Sequence, residues 1–220
     1  MLPLARDVAT TAQALHTAGW VANHDGNVSA RSREGDRFFA TPTATSKRLV
    51  RAEDIIVVDA AGKVLSGRKK LFGEWHLHAA AYTARADVGA VVHAHPIAAT
   101  AVGLARRQLG LPPLPEMVVS LGANVPTLDY APPKSAAQDA ALARALDDGD
   151  ADVVLLAGNG VLAVGADLEQ ALLRLELVEH WAKLMIAAAP LGGVTPLPSD
   201  DIKKLLEART KAGLGRGGRR

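Results

Sequence analysis

Two histidines separated by one residue, His93 and His95, lie in the apolar segment VVHAHP at residues 91–96. Side chains two apart in a β-strand point to the same face, about 6.6 Å apart along the chain, so both imidazoles can converge on one ion. Buried imidazoles also need partners for their ring nitrogens. A catalytic zinc usually has three protein ligands, so the pair predicts two ligands of a metal site and leaves a third to be found.

A carboxylate that could act with this pair, Glu74, lies nineteen residues upstream of His93 in LFGEWHLHAAAY, residues 71–82. The segment has helical composition, and the helix dipole favours a carboxylate at a helix start. Glu74 is therefore a candidate proton shuttle beside a metal, with a surface capping residue as the alternative. His78 follows on the same helix face, whereas His76 is predicted to point elsewhere and to be exposed.

The composition limits the protein class. The 220 residues are 49% hydrophobic and 22% charged, with no cysteine, which is typical of one globular domain and excludes disulfides, thiolate ligands and cysteine nucleophiles. No apolar run of about 18 residues or long apolar leader occurs, so we expect a cytoplasmic protein without a membrane span. Residues 1–210 are predicted to form one domain. The basic end KAGLGRGGRR, residues 211–220, is predicted to be a disordered, solvated tail rather than a nucleic-acid-binding segment.

Helical and extended patterns alternate along the chain. Helices are predicted at 4–18, 73–86, 96–108, 135–147 and 167–188, the last with Asp167 as its N-cap. Strands are predicted in the segments GNVSAR and DRFFA, as a hairpin in 53–67, and at 89–95, 152–157 and 160–164. The proline-rich stretch 112–133 is expected to contain short extended pieces. Hairpins mixed with helical crossovers predict a mixed sheet flanked by helices.

Five segments taken in order resemble the class II aldolase/adducin-head family over roughly residues 5–190. They are GNVSAR (26–31), TPTATSK (41–47), GEWHLHAAAY (73–82), AVVHAHP (90–96) and VVLLAGNGVLAVGADLEQALLRLELVEHWA (153–182). The resemblance implies an α/β fold, a three-layer α/β/α arrangement with a mixed, mostly antiparallel central sheet. It also implies a homotetramer with active sites between subunits, a divalent metal such as zinc, and a small-molecule substrate. Glu74 then stands at the catalytic position and His93 and His95 at metal positions, and the substrate- or anion-binding positions are Gly26, Asn27, Thr43, Ala44 and Gly73.

The chain departs from the family at the third metal histidine, where Asn159 stands in LLAGNGVL. An amide oxygen is a poorer zinc ligand than imidazole but suits harder ions such as manganese or magnesium. The third ligand is therefore predicted to be Asn159 itself, Glu74, water, or His24 if its loop reaches the site.

Further departures concern the substrate. Phe72 and Gly73 replace two serines that help to hold phosphate in the sugar-phosphate aldolases, and Ala44 replaces a common glycine. A phenyl ring at a phosphate-contacting position predicts an altered substrate, either unphosphorylated or aromatic. The only tyrosines are Tyr82 and Tyr130, so a C-terminal tyrosine is not available as a proton donor.

The favoured hypothesis is a metal-dependent lyase that performs retro-aldol cleavage of a small hydroxy-carbonyl or sugar-type compound through a metal-stabilised enediolate. Glu74 would move the proton. Two alternatives remain: a decarboxylase or dehydratase that uses the same enediolate, and a non-catalytic scaffold like the adducin head. The replacements at Asn159 and Phe72 favour the scaffold, whereas the retention of His93, His95 and Glu74 together favours the enzyme.

Overall fold

An eight-stranded sheet forms the centre of the fold in the computed structural model, which describes residues 2–147 and 151–215. The strand order is β4-β3-β2-β1-β5-β8-β7-β6, and within the described residues every neighbouring pair is antiparallel except β6 with β7. The strands are β1 Asn27–Arg31, β2 Phe38–Ala40, β3 Ile56–Val58, β4 Val64–Ser66, β5 Ala90–Ala94, β6 Thr127–Leu128, β7 Val153–Leu156 and β8 Val161–Gly165. The prediction of a mixed, mostly antiparallel sheet is confirmed.

Seven α-helices accompany the sheet in the described part of the chain. They are α1 Leu2–Thr17, α2 Trp75–Ala84, α3 Ile97–Leu104, α4 Pro115–Leu121, α5 Ala136–Asp147, α6 Leu168–Ala188 and α7 Ser199–Lys211, with short 3-10 turns at Ala52–Asp54 and Ala189–Leu191. Asp167 caps α6 as predicted, because its side chain accepts a hydrogen bond of 2.8 Å from the backbone N–H of Gln170.

The alternation of side chains along the strands produces two separate cores. In β5, Val92 packs with α1, α3 and α6 on one face, whereas Val91 packs with α2 and α5 on the other. Both valines are fully buried, and burial of such a side chain stabilises the fold by about 1.5–3 kcal/mol. Helices on both faces of one sheet give the predicted three-layer α/β/α arrangement.

A buried carboxylate at the start of strand β7 joins helix α7 to the sheet. Asp152, which precedes β7 and is 0% exposed, forms ion pairs of 2.7 Å with Arg85 and 2.6 Å with Arg174, and a third with Arg209 of α7. Three guanidinium partners offset the cost of removing this charge from water. The sequence patterns did not predict this cluster.

Three sequence predictions need correction. The stretch 112–133 contains a short extended piece as predicted, strand β6, but also helix α4, because Pro115 is tolerated in a first helical turn and Met117, Val118 and Leu121 then share a buried face. Helix 73–86 begins only at Trp75, with Glu74 as its N-cap, and His95 lies one residue beyond the end of β5.

The described residues contain no helix that is long and apolar enough to cross a membrane. Of the predicted basic tail 211–220, residues 216–220 lie outside the described residues.

Candidate active site

The candidate site forms where the start of β1, the start of α2, the end of β5 and the β7–β8 turn meet. Strand register brings them together: Asn27 is opposite His93 across β1 and β5, and Ala94 is opposite Val161 across β5 and β8. The chain continues from Ala94 directly into His95, beside the turn that carries Asn159. The topology therefore brings residues from distant parts of the sequence together at one end of the central strands β1, β5 and β8.

His93 presents a bare ring nitrogen to the site. Its ring is 0% exposed, and its Nδ1 lies 3.0 Å from the carbonyl oxygen of Val161. A carbonyl oxygen can only accept, so Nδ1 carries a proton, and in the neutral form of the ring the lone pair is then on Nε2. That Nε2 lies 3.5 Å from Oε1 of Glu74 and has no hydrogen-bond partner among the described residues.

His95 has the same arrangement. Its Nδ1 lies 3.0 Å from Oδ2 of Asp25, and its Nε2 is buried without a hydrogen-bond partner in the described residues. Burial lowers the pKa of His95, although the Asp25 carboxylate opposes this effect. A neutral ring that donates from Nδ1 to Asp25 leaves the Nε2 lone pair free, and the centroids of the two rings are 5.2 Å apart. Each imidazole thus has an acceptor near Nδ1, and in a neutral ring this leaves the lone pair of Nε2 available.

Glu74 is held by two amide groups. Oε2 accepts a hydrogen bond of 2.7 Å from Nδ2 of Asn27, and Oε1 accepts one of 2.8 Å from Nδ2 of Asn159. Burial favours the neutral acid. The positive charge that His93 carries when protonated and the hydrogen bonds from the two amides favour the carboxylate more strongly, so the pKa of Glu74 lies well below its usual value. The carboxylate is therefore ionised at neutral pH and able to accept a proton.

Asn159 lies at the tip of the β7–β8 turn between two glycines with positive φ, Gly158 at 77° and Gly160 at 72°. A Cβ at Gly160 would lie 2.3 Å from Cδ2 of His95, so only glycine fits between the turn and the ring. The amide nitrogen of Asn159 is used by Glu74, which leaves its oxygen as the group available to a cation.

A chain of buried polar side chains lies behind Glu74. Oδ1 of Asn27 lies 2.6 Å from Nε2 of His78, Nδ1 of His78 lies 2.7 Å from Oγ of Ser29, and Ser29 lies 2.8 Å from the hydroxyl of Tyr82. Burial is the main cause that lowers the pKa of His78 to about 3, so its ring is neutral. The sequence placed His78 on the Glu74 face of the helix, but it gave no role to Ser29 or Tyr82; the spacing of 74, 78 and 82 along α2 was the available signal.

The five predicted anion-binding positions differ in their surroundings. Gly26 is buried, with a positive φ of 67° and room for no side chain against Val21 and the His93 carbonyl. The side chain of Asn27 is already engaged, whereas Thr43, Ala44 and Gly73 are exposed. Ala44 adopts a positive φ of 51°, which explains why glycine is common there in the family.

The loops that carry these positions are connected by a buried lysine. Nζ of Lys47, which is 3% exposed, donates hydrogen bonds of 3.1 Å to the carbonyl of His24 and 3.2 Å to that of Thr45. Burial lowers the pKa of Lys47, while the charges of Asp25 and Glu74 oppose that shift. The sequence analysis missed Lys47, because nothing in its local pattern marks it as buried.

Two predicted side-chain positions are wrong. The ring of Phe72 is 7% exposed and packs 4.9 Å from the His78 ring, measured between centroids, so it lies in the core and does not line the phosphate position. His76 is only partly exposed, because its Nδ1 is 2.6 Å from Oδ1 of Asp139 on α5.

The donor set fits a divalent cation only in part. The Nε2 atoms of two rings whose centroids are 5.2 Å apart are buried with no hydrogen-bond partner among the described residues, as the ligands of a cation would be. Within the described ranges 2–147 and 151–215, however, no three His, Cys, Asp or Glu side chains are grouped to hold a metal. The residues therefore fit a cation held by two imidazoles, with the oxygen of Asn159 or a moved Glu74 as the weaker third donor.

Comparisons with known proteins agree with this architecture. The family described as Class II Aldolase and Adducin N-terminal domain matches residues 6–186. The L-fuculose phosphate aldolase of Escherichia coli K12 is 32% identical over 213 residues, or 96% of each chain. The corresponding enzyme of Methanocaldococcus jannaschii is 30% identical over 172 residues, which cover 78% of this chain and 90% of the relative.

Solved structures give the same result. An L-fuculose 1-phosphate aldolase superposes with a TM-score of 0.84 at 26% identity, covering 94% of this chain and 95% of its own. YgbL from Escherichia coli, described only as a candidate aldolase, epimerase or decarboxylase, superposes with a TM-score of 0.85 at 27% identity, covering 93% and 98%.

Proposed function

Since the chain belongs to the class II aldolase and adducin N-terminal domain family and is an aldolase, we propose that it is a metal-dependent lyase that cleaves a small hydroxy-carbonyl or sugar-type substrate. Relatives at about 30% identity over most of the chain are named aldolases, which favours an enzyme over the scaffold alternative. The observation that carries the metal dependence is the pair of buried Nε2 atoms of His93 and His95, without partners among the described residues, beside an ionised Glu74.

The two imidazoles are the proposed metal ligands, with Asn159 as the third and weaker one. Imidazole suits zinc, and an amide oxygen shifts the preference towards manganese or magnesium. When bound, a divalent cation supplies an electrophile that stabilises the negative charge developing on substrate oxygens. Asp25 holds His95 in the tautomer that can bind a cation, and the Val161 carbonyl does so for His93.

Glu74 is the proposed proton-transfer residue. Its carboxylate is ionised, it is 33% exposed at the side chain and so reachable by substrate, and both of its oxygens are oriented by amide donors. A base in this position takes the proton from the substrate hydroxyl whose carbon becomes the aldehyde, and returns a proton to the other fragment.

The substrate class follows from the relatives and from the loops near the site. The named relatives act on L-fuculose phosphate. Phe72 is buried in the core and so removes one argument against a phosphorylated substrate. Gly73, which precedes Glu74 in the chain, and Thr43 and Ala44, in the loop that leads to Lys47, are exposed. We propose that these three exposed positions bind the anionic end of the substrate.

Metal content tests the site. The protein purified without added chelator is expected to hold nearly one zinc or manganese per chain, and His93→Ala/His95→Ala is expected to hold none. His180→Ala, which removes an exposed histidine of α6, is the matched control and keeps the metal. Protein that is folded and metal-free, and that takes up neither zinc nor manganese on titration, would contradict the proposal.

Activity tests the reaction class. Cleavage of L-fuculose 1-phosphate is followed alongside that of unphosphorylated L-fuculose, together with deuterium uptake from D2O into hydroxy-ketones such as dihydroxyacetone. Glu74→Gln is expected to abolish both while leaving the fold intact. Carbon dioxide release or dehydration of an acid substrate without aldol cleavage would instead assign the decarboxylase or dehydratase alternative.

We also propose that the chain forms a homotetramer. The proposal rests on the family resemblance, and the exposed apolar side chains of Ile97 and Leu191, 74% and 84% exposed, are available for contacts between subunits. Light scattering during gel filtration is expected to give four times the chain mass, and a monomer at micromolar concentration would contradict the proposal.

A further inference from the structure

The polar side chains behind Glu74 form a ladder between helix α2 and strand β1. Glu74, His78 and Tyr82 are four residues apart on the helix, about 6 Å in rise, and Asn27 and Ser29 are two apart on the strand, about 6.6 Å. Because these spacings nearly match, each strand residue fits between two helix residues. The contacts run from Tyr82 to Ser29, His78, Asn27 and Glu74 at 2.8, 2.7, 2.6 and 2.7 Å.

The direction of every hydrogen bond in the ladder follows from the orientation of the Asn27 amide. Its nitrogen lies 2.7 Å from Oε2 of Glu74 and its oxygen, which can only accept, lies 2.6 Å from Nε2 of His78. His78 must then donate from Nε2, and its neutral ring accepts at Nδ1 from the hydroxyl of Ser29. Ser29 has spent its only proton on His78, so its oxygen accepts from Tyr82.

Burial makes the ladder specific. His78 and Ser29 are 0% exposed, Asn27 is 3% and Tyr82 is 6% exposed, so water is not at hand to replace a lost partner. If the amide of Asn27 turned over, its oxygen would face the Glu74 carboxylate and its nitrogen would face the Nε2–H of His78. Two unfavourable contacts would replace two good ones, and buried unpaired groups of this kind are costly.

Resting on the proposed function, we propose that His78 is a positioning residue for the proton-transferring carboxylate. As the Nε2–H tautomer, with Nδ1 accepting from Ser29, it donates to Oδ1 of Asn27 and so holds the amide nitrogen towards Glu74. The ladder thereby orients one oxygen of Glu74 from behind, while Asn159 orients the other oxygen from the β7–β8 turn. The hydrogen bonds of His78 go to Ser29 and Asn27 and not to the two proposed imidazole ligands.

Two variants of His78 separate positioning from general damage. The glutamine introduced by His78→Gln keeps an N–H donor for Asn27, whereas His78→Met fills a similar volume without a donor. We expect His78→Met to lower kcat by about 10- to 100-fold, the range for loss of an orienting partner, with KM changed less than about threefold. His78→Gln is expected to recover at least about tenfold of that loss, and both variants are expected to bind zinc within about threefold of the parent.

The tautomer of His78 gives a readout that does not need a substrate. Long-range 1H–15N spectra of histidine-labelled protein, assigned with His78→Gln, are expected to show a protonated Nε2 and a bare Nδ1. Ser29→Ala, which leaves Nδ1 without its donor, supplies a second perturbation if His78→Met does not fold, and it is expected to shift that Nδ1 signal.

The outcomes distinguish the two proposals. If the parent protein neither cleaves nor exchanges any substrate, the proposed function fails, while the tautomer still tests the ladder. An Nδ1–H or doubly protonated His78 at neutral pH, or equal kcat values for His78→Gln and His78→Met, would overturn the positioning role.

Discussion

Lowering the pH should destabilise the folded protein through His78 before any carboxylate titrates. The ring is fully buried and neutral, and burial is the main cause that lowers its pKa from 6.5 to about 3. In the unfolded chain the same ring takes up a proton near pH 6.5. Between these two values the unfolded state binds more protons, so stability is present above about pH 6.5 and is lost as the pH falls.

The size of the effect follows from the shift. Each pH unit over which only the unfolded chain holds the proton removes about 1.4 kcal/mol of stability. From about pH 7.5 to about pH 5 the relevant interval runs from about 6.5 to about 5, so His78 alone accounts for a loss of about 2 kcal/mol. Because pH 5 lies above the usual range for Asp and Glu, the carboxylates contribute little over this interval.

Urea titration of chelator-treated protein at equal chain concentration measures this loss. The parent protein is compared with His78→Gln at about pH 7.5 and about pH 5, and the glutamine variant controls for the other histidines, including His95, whose pKa is also lowered. We expect the parent to lose about 2 kcal/mol more than the variant between the two pH values. Equal losses in both proteins would show that His78 is not held neutral in the folded state, and the reasoning would be refuted.

Three further substitutions test the site and its support. Asn159→His restores the third imidazole and is expected to raise zinc affinity at least about tenfold, measured by competition with a chromophoric chelator; unchanged affinity would place this turn outside the metal site. Asp152→Asn leaves three buried guanidinium groups short of their shared carboxylate and should cost about 3–5 kcal/mol in urea unfolding, whereas a loss below about 1 kcal/mol would mean that the ion pairs are not needed. Gly160→Ala forces a Cβ to 2.3 Å from Cδ2 of His95 and should lower both Tm and zinc affinity, whereas Gly73→Ala, with nothing within 4 Å, should change neither; similar effects of the two would contradict the packing argument.

The fold was largely predictable from sequence because local periodicity and turn residues are strong in this chain. The apolar run before His93 predicted the central strand β5, and the Asp167 cap predicted the start of α6 to the residue. Helix α4 was missed because the surrounding prolines resemble an extended segment, although a proline in the first turn of a helix is compatible with it. The buried ion pairs of Asp152 were missed for a different reason, since they join segments 22 to 67 residues apart along the sequence.

The candidate site was predictable only where chemistry follows from spacing within one element. His93 lies in a strand, His95 follows just after its end, and Glu74 precedes a helix, so local pattern and resemblance were enough to propose them. Ser29 and Lys47 act through contacts that cross the fold, 49 residues from His78 and 23 residues from His24 respectively. A single sequence carries no local signal for contacts between residues that lie so far apart along the chain.

Asn159 shows why the type of a residue does not settle its role. A histidine at this position has one lone pair to give to a metal, whereas an amide has a donor and an acceptor that point in different directions. Here the donor is used by Oε1 of Glu74 at 2.8 Å, and only the acceptor remains for a cation. In the proposed metal site, asparagine instead of histidine therefore gives a group that orients the base and offers a cation a weaker oxygen ligand. An enzyme with this arrangement should bind its cation less tightly but hold Glu74 from two sides, and restoring histidine should strengthen metal binding while releasing one oxygen of Glu74 from its amide partner.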